Sequence, residues 1–200
     1  MQGRDYSKSP YVKNDCGDNV QRGYIAHLHL STAQAVLGTT TFVKTAVTSG
    51  AAPSVITTGL TSPVYPRNVT ATAGGTAGDI KAIQVVVEGT NENNETITET
   101  LPAFTVDTAG TVVGSKIFKT ITKVTIPAHD GTGATTAIGT GDKLGIGFKL
   151  AHNTVLSAYR NNILEAVAPT VAVSPTAQES NSITLNSALN GTVVDAYFIV

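Results

Sequence analysis

The sequence predicts an all-β protein, a β-sandwich or small barrel of short antiparallel strands preceded by an extended N-terminal arm. Val/Ile/Thr-rich runs alternate with Gly/Asn/Asp/Pro clusters, most clearly from Pro66 to Leu150, with turn signals every ~8 to 12 residues. Thr alone supplies 31 of the 200 residues. Its β-branched side chain packs well on a pleated surface and loses freedom in a helix. Only 14% of the residues are charged, against roughly 25% in ordinary soluble domains. Much of the surface must then be Thr, Ser, Asn and Gly, which lacks the dense mixed charge that keeps partners away and points to a subunit of an assembly.

Residues 1–23 read as a polar arm punctuated by Gly3, Pro10, Gly17 and Gly23. Tyr6 and Tyr11 are its aromatic groups, and Tyr24 opens the next segment. Tyrosine offers rigid contact area with a polar tip, so Tyr6, Tyr11 and Tyr24 are the candidate interaction residues. Residues 24–30 alternate at period two. This places Ile25, His27 and His29 on one face of a strand and Tyr24, Ala26, Leu28 and Leu30 on the other. Residues 31–37 predict a short helix with Ser31 as N-cap and Gly38 as its stop. A strand over 39–47 and a loop over 48–53 follow.

The β signal sharpens at a strand over 67–72, which leads through a Gly-rich turn into a strand over 80–90. Residues 91–94 turn the chain and 95–101 return as the partner in a hairpin with a four-residue loop. Ile83, Val85 and Val87 share one core-facing side, and Ile97 and Leu101 share a face across the turn. Pro102 closes the ladder because it cannot donate. Short runs at 105–107 and 111–113 precede a strand over 116–126. Its buried face is expected to hold Phe118, Thr120, Thr122, Val124 and Ile126, leaving Ile117, Lys119, Ile121, Lys123 and Thr125 outside.

A turn at 130–133 and two short strands, 135–138 and 144–150, flank Gly139-Thr-Gly141. Residues 152–167 carry Val155, Leu156, Tyr159, Ile163 and Val167 at helix-like spacings and predict a helix or irregular excursion ended by Pro169. Strands over 171–173, 182–185 and 192–200 complete the chain. The last is apolar to its end and is expected to be paired inside a sheet. The division is an arm at 1–23 and a β-rich domain at 24–200, with the clearest core at 66–150 and a C-terminal extension at 151–200.

The chemistry-bearing residues form no convincing constellation. The formal net charge is −1, and the lysines are scattered, so no nucleic-acid partner is expected. Lys116, Lys119 and Lys123 read as a solvated strand face. Cys16 is alone, so the fold owes nothing to an intramolecular disulfide and is expected to assemble in a reducing cytoplasm. The N-terminus has no apolar signal region and no window approaches the ~18 apolar residues of a membrane span, so no membrane partner is expected. Gly139-Thr-Gly141 with Gly145 misses the dinucleotide fingerprint by one residue and precedes a strand, so turn and bulge glycines are the better reading.

His27 and His29 point the same way from one strand and could share a metal, but the sequence nominates no third ligand. All four histidines read as surface or interface residues. Glu92, Glu95 and Glu99 flank the hairpin turn but lack an aromatic cleft for a sugar, so they read as a solvated edge. No G-x-S-x-G elbow occurs, and Cys16 has no partnering His. No catalytic, metal-binding or cofactor-binding residue is nominated, and no cofactor is expected.

Three segments carry a family resemblance: Val87-Glu-Gly-Thr90, Ile97-Thr-Glu-Thr100 and Gly114-Ser-Lys-Ile-Phe-Lys-Thr-Ile-Thr-Lys-Val124. Together with the turn between the first two, they resemble a recurrent domain of tailed-bacteriophage virion proteins, over about residues 66–150. The resemblance implies a non-enzymatic virion component, assembled in the host cytoplasm. Its first form is a homo-oligomeric head decoration or cement protein on the major capsid protein, with the arm as the contact. The alternatives are a tail tube, tail-completion or fibre-attachment subunit and, from another class, a carbohydrate-binding module.

Overall fold

Runs of β-branched residues bounded by turn residues form sixteen strands in the computed structural model, which describes residues 11–13, 19–21 and 23–200. In chain order they begin β1 (Tyr11–Lys13), β2 (Asn19–Gln21), β3 (Ile25–Leu30), β4 (Lys44–Thr48), β5 (Ser54–Ile56), β6 (Arg67–Gly75), β7 (Val86–Thr90) and β8 (Thr96–Thr100). They continue as β9 (Gly110–Phe118), β10 (Thr120–Ile126), β11 (Ala134–Gly145), β12 (Val155–Arg160), β13 (Ile163–Leu164), β14 (Thr170–Ala172), β15 (Ser182–Thr184) and β16 (Val194–Ile199). Helical structure among the described residues is limited to two 3-10 turns, Ala77–Asp79 and Gln178–Ser180. No helix there is long and apolar enough to cross a membrane.

The expected all-β class of short antiparallel strands is what forms. β1 and β2 make a two-stranded ribbon. The other strands make three sheets, ordered β5-β10-β7-β8, β14-β15-β11-β6-β9 with β4 also on β11, and β13-β12-β16-β3. Two cores lie between them. The first joins the inner faces of β6, β7, β8 and β10, with Val69, Ala71, Val87, Ile97, Phe118 and Val124 among its buried side chains. The second joins β3, β12 and β16 to the end of β11, through Leu28, Leu30, Leu144, Ala196 and Phe198. Each large side chain so withdrawn from water contributes about 1.5–3 kcal/mol. Residues 151–200 build this second core together with β3.

β11 belongs to both cores, Ala134 and Ile138 to the first and Leu144 to the second. Between them its pairing with β6 shifts register, from Thr140↔Val69 to Leu144↔Arg67. The β6–β9 ladder shifts at the same level, between Asn68 and Thr70. Asn68 holds both irregularities. Its side chain is fully buried, Nδ2 donates to the Gly114 carbonyl at 3.1 Å, and Oδ1 accepts the Lys143 N–H at 3.0 Å. Gly141 is required beside it, because a Cβ there would meet Asn68 Oδ1 at 2.6 Å. Gly139 and Gly141 therefore lie within one twelve-residue strand, at close approaches and beside a bulge, rather than in a turn between two strands.

Several local expectations are corrected. Residues 31–37 make a single turn, with Gln34 Oε1 accepting the Ser31 N–H at 3.0 Å and Ser31 O accepting the Ala35 N–H, but no helix propagates. The 39–47 segment is strand only from Lys44, in a strand that runs on to Thr48. Of the 80–90 segment only Val86–Thr90 is laddered, although Ile83, Val85 and Val87 are buried together as expected. The hairpin loop holds five residues, since Thr90 pairs with Thr96. Residues 105–108 turn. The 116–126 segment breaks at Lys119, where the chain leaves one sheet for another, and a register shift between Ile121 and Lys123 buries Ile121 and exposes Thr122. Ile117 is buried as well.

The 152–167 segment is a hairpin, not a helix. Asn161 and Asn162 have φ of 52° and 62° and link the pair Arg160↔Ile163 as a two-residue loop. Positive φ at both central residues is the mirror-image turn that suits strand twist, and Asn tolerates it. The final strand is indeed internal, with β16 lying between β12 and β3.

Replacing Asn68 with Ala leaves the partly buried Lys143 amide without its acceptor, while Lys143 Nζ still reaches the Gly114 carbonyl. Asn68→Ala should therefore cost about 1–3 kcal/mol in urea or guanidinium unfolding at unchanged slope.

Candidate functional site

The side chains that converge outside the two cores lie on the outer face of the β13-β12-β16-β3 sheet. β16 pairs with β3 in the register Asp195↔His29, Tyr197↔His27 and Ile199↔Ile25. Alternation sends Leu28, Leu30, Val194, Ala196 and Phe198 inward, and His27, His29, Asp195 and Tyr197 outward. The face assignment expected for residues 24–30 is the observed one. On the far side of β16, Tyr159 of β12 stands opposite Asp195.

Both imidazoles close on one carboxylate oxygen. His27 Nε2 and His29 Nδ1 each lie 2.7 Å from Asp195 Oδ1, and each donates its N–H to it. The Asp195 side chain is only 14% exposed, whereas the two histidines are about half exposed. Burial pushes the Asp195 carboxyl up, but the hydrogen bonds and charge of His29 and His27 outweigh it and hold the group below the usual carboxylate range. Tyr197 stacks on His27 with ring centroids 4.6 Å apart and planes 8° apart, and Tyr159 meets Tyr197 edge-on. Asp195 was missed by sequence reasoning because it lies 166 residues from His29. The one available signal was the alternation of 194–199, which sets Asp195 and Tyr197 on the face opposite Ala196 and Phe198.

Tyr24 extends β3, exchanging backbone hydrogen bonds of 2.9 Å with Val200, and the residue is 67% exposed. Beside it a shallow groove of about 590 Å³ runs along Ile25, His152, Ile199 and Val200. Tyr11 lies on β1, and Tyr6 and Cys16 lie outside the described residues.

Two other groups differ from expectation. His129 is buried rather than on the surface: Nδ1 accepts the Lys81 N–H at 3.1 Å, so Nε2 carries the proton and donates to Thr136 Oγ1 at 2.9 Å. Glu99 is also buried, its Oε1 accepting the Ser115 and Lys116 amides and the Ser115 hydroxyl. Glu95 instead takes the Asn91 side-chain amide. Glu92 is half-buried, which raises its pKa against the opposing pull of Lys119. Glu95 and Glu99 thus engage separate partners.

Burial lowers the His129 pKa, with Asp130 pulling weakly the other way. The unfolded chain then binds a proton that the fold rejects, so the stability this residue supports is complete above about pH 6.5 and is lost as the pH falls. Unfolding free energy measured from about pH 7.5 to 5.5 should fall with a steeper slope in the wild type than in His129→Gln.

No family model, no curated protein and no solved structure matches this chain.

Proposed function

We propose that this chain is a non-enzymatic structural protein of a tailed-bacteriophage particle, a decoration or cement subunit that binds the major capsid protein on the head surface as a homo-oligomer. The observation that carries the reading is how the three resembling segments meet in space. Val87–Thr90 lies in β7, 97–100 in β8, and 114–124 spans β9 and β10. Glu99 of the second segment reaches the Ser115 and Lys116 amides of the third. Gly89 of the first lies against the Thr120 carbonyl and the Phe118 ring, where a Cβ has no room. Thr90 and Thr120 hydroxyls bond at 2.6 Å.

Gly89, Thr90, Glu99, Ser115, Phe118 and Thr120 of these segments thus meet at one joint, the place where the chain passes from the β6 ladder to the β7 ladder. Residues that shape a joint, rather than line a cleft, suit a protein whose work is to hold a shape in a lattice. Sparse charge and the place of β3 at the end of its sheet among the described residues suit contact through backbone edges and tyrosines.

Cryo-electron microscopy of particles with and without this protein tests the reading. Density lost from the head surface is expected, and density lost from the tail, or none lost, would overturn it. A chain starting at residue 24 should bind such particles at clearly reduced occupancy in a sedimentation assay, with its far-UV spectrum confirming that it is folded.

A further inference from the structure

We propose that His27, His29 and Asp195 form a binding site for one divalent transition-metal ion of the zinc class, which ties β3 to β16. The three donor atoms all lie within 4.8 Å of one another. Two imidazole nitrogens with one carboxylate oxygen is a donor set that borderline ions such as Zn²⁺ prefer, while Ca²⁺ and Mg²⁺ favour oxygen alone. The histidines are two apart on one strand and the aspartate is directly cross-strand, so all three side chains leave the same face, and behind them Leu28, Leu30, Val194, Ala196 and Phe198 are buried. Such backing fixes the donors' origins to the precision that coordination needs.

The local contacts suit an ion in place of the shared hydrogen bonds. Both rings spend a nitrogen on the same oxygen, and no Lys or Arg pairs with Asp195 among the described residues. Tyr197 holds the His27 ring by stacking. Metal–ligand bonds of about 2.0–2.1 Å in a tetrahedron set donors ~3.3 Å apart, so the 2.7 Å contacts need to open by only ~0.6 Å. Each imidazole gives up the proton it shares with Asp195, to its other ring nitrogen when the ring is neutral and to water when it is protonated, and presents its lone pair to the ion. The exposed side of the cluster leaves the fourth position to water, or to a donor from a neighbouring molecule.

Titration of chelator-treated full-length protein with Zn²⁺ by calorimetry, and with Co²⁺ by visible absorption, tests the site. One ion per chain is expected, with Co²⁺ giving ligand-field bands that Zn²⁺ abolishes and with Zn²⁺ raising the melting temperature. Asp195→Asn should weaken binding by at least about tenfold, and the double variant His27→Gln/His29→Gln should abolish saturable binding while keeping the far-UV spectrum. His152→Gln should bind as wild type. Absence of saturable binding into the millimolar range, or undiminished binding by the double variant, would overturn the proposal.

Discussion

The shared strand β11 is the constraint on which the rest of the structure depends. Its first half packs into one core and its last residues into the other, and in between the strand must shift its pairing with β6. A shift of register moves side chains between faces, so one continuous strand can serve two cores only if the irregularity is fixed in place. Asn68 fixes it by joining β9 and β11 across β6, with Gly141 leaving it room. Buried amides in such positions specify one arrangement because every alternative leaves a polar group unpaired in a dry site.

A second buried amide performs a similar task for the C-terminal region. Asn181 is fully buried, accepts the Leu150 and Ser174 amides, and donates to the Ser174 and Ala177 carbonyls. It gathers the loops around β14 and β15 against the end of β11. The sheet β13-β12-β16-β3 then closes the second core, and its pairing joins the segment after the arm to the chain's last strand. The outer face of that sheet therefore gathers residues far apart in the chain, and this is where His27, His29 and Asp195 meet.

The fold class was legible because it rests on local signals: β-branched runs, turn clusters, and period-two alternation at 24–30 and along 83–87. Positions where long-range contacts decide were not. The 116–126 run reads as one strand because nothing local marks Lys119 as the point of changing sheets. The 152–167 run mimics helical spacing because its apolar residues recur three to four apart on both sides of the Asn161-Asn162 turn. Glu99 and His129 looked like surface groups because their partners, the amides of 115 and 116 and of Lys81, are distant or backbone. The histidine pair was visible, but its carboxylate partner depends on which strand lies beside β3, and that pairing leaves no local trace.

If β11 binds the two cores into one cooperative unit, its backbone should show it. Native-state hydrogen exchange along β11 reports the free energy of opening amide by amide. The account predicts that protected amides in Ala134–Gly145, before and after the bulge, exchange with one common opening free energy equal to that of global unfolding. Two separate levels, with the residues around Leu144 opening together with β12 and β16 while those around Ile138 stay closed, would contradict it.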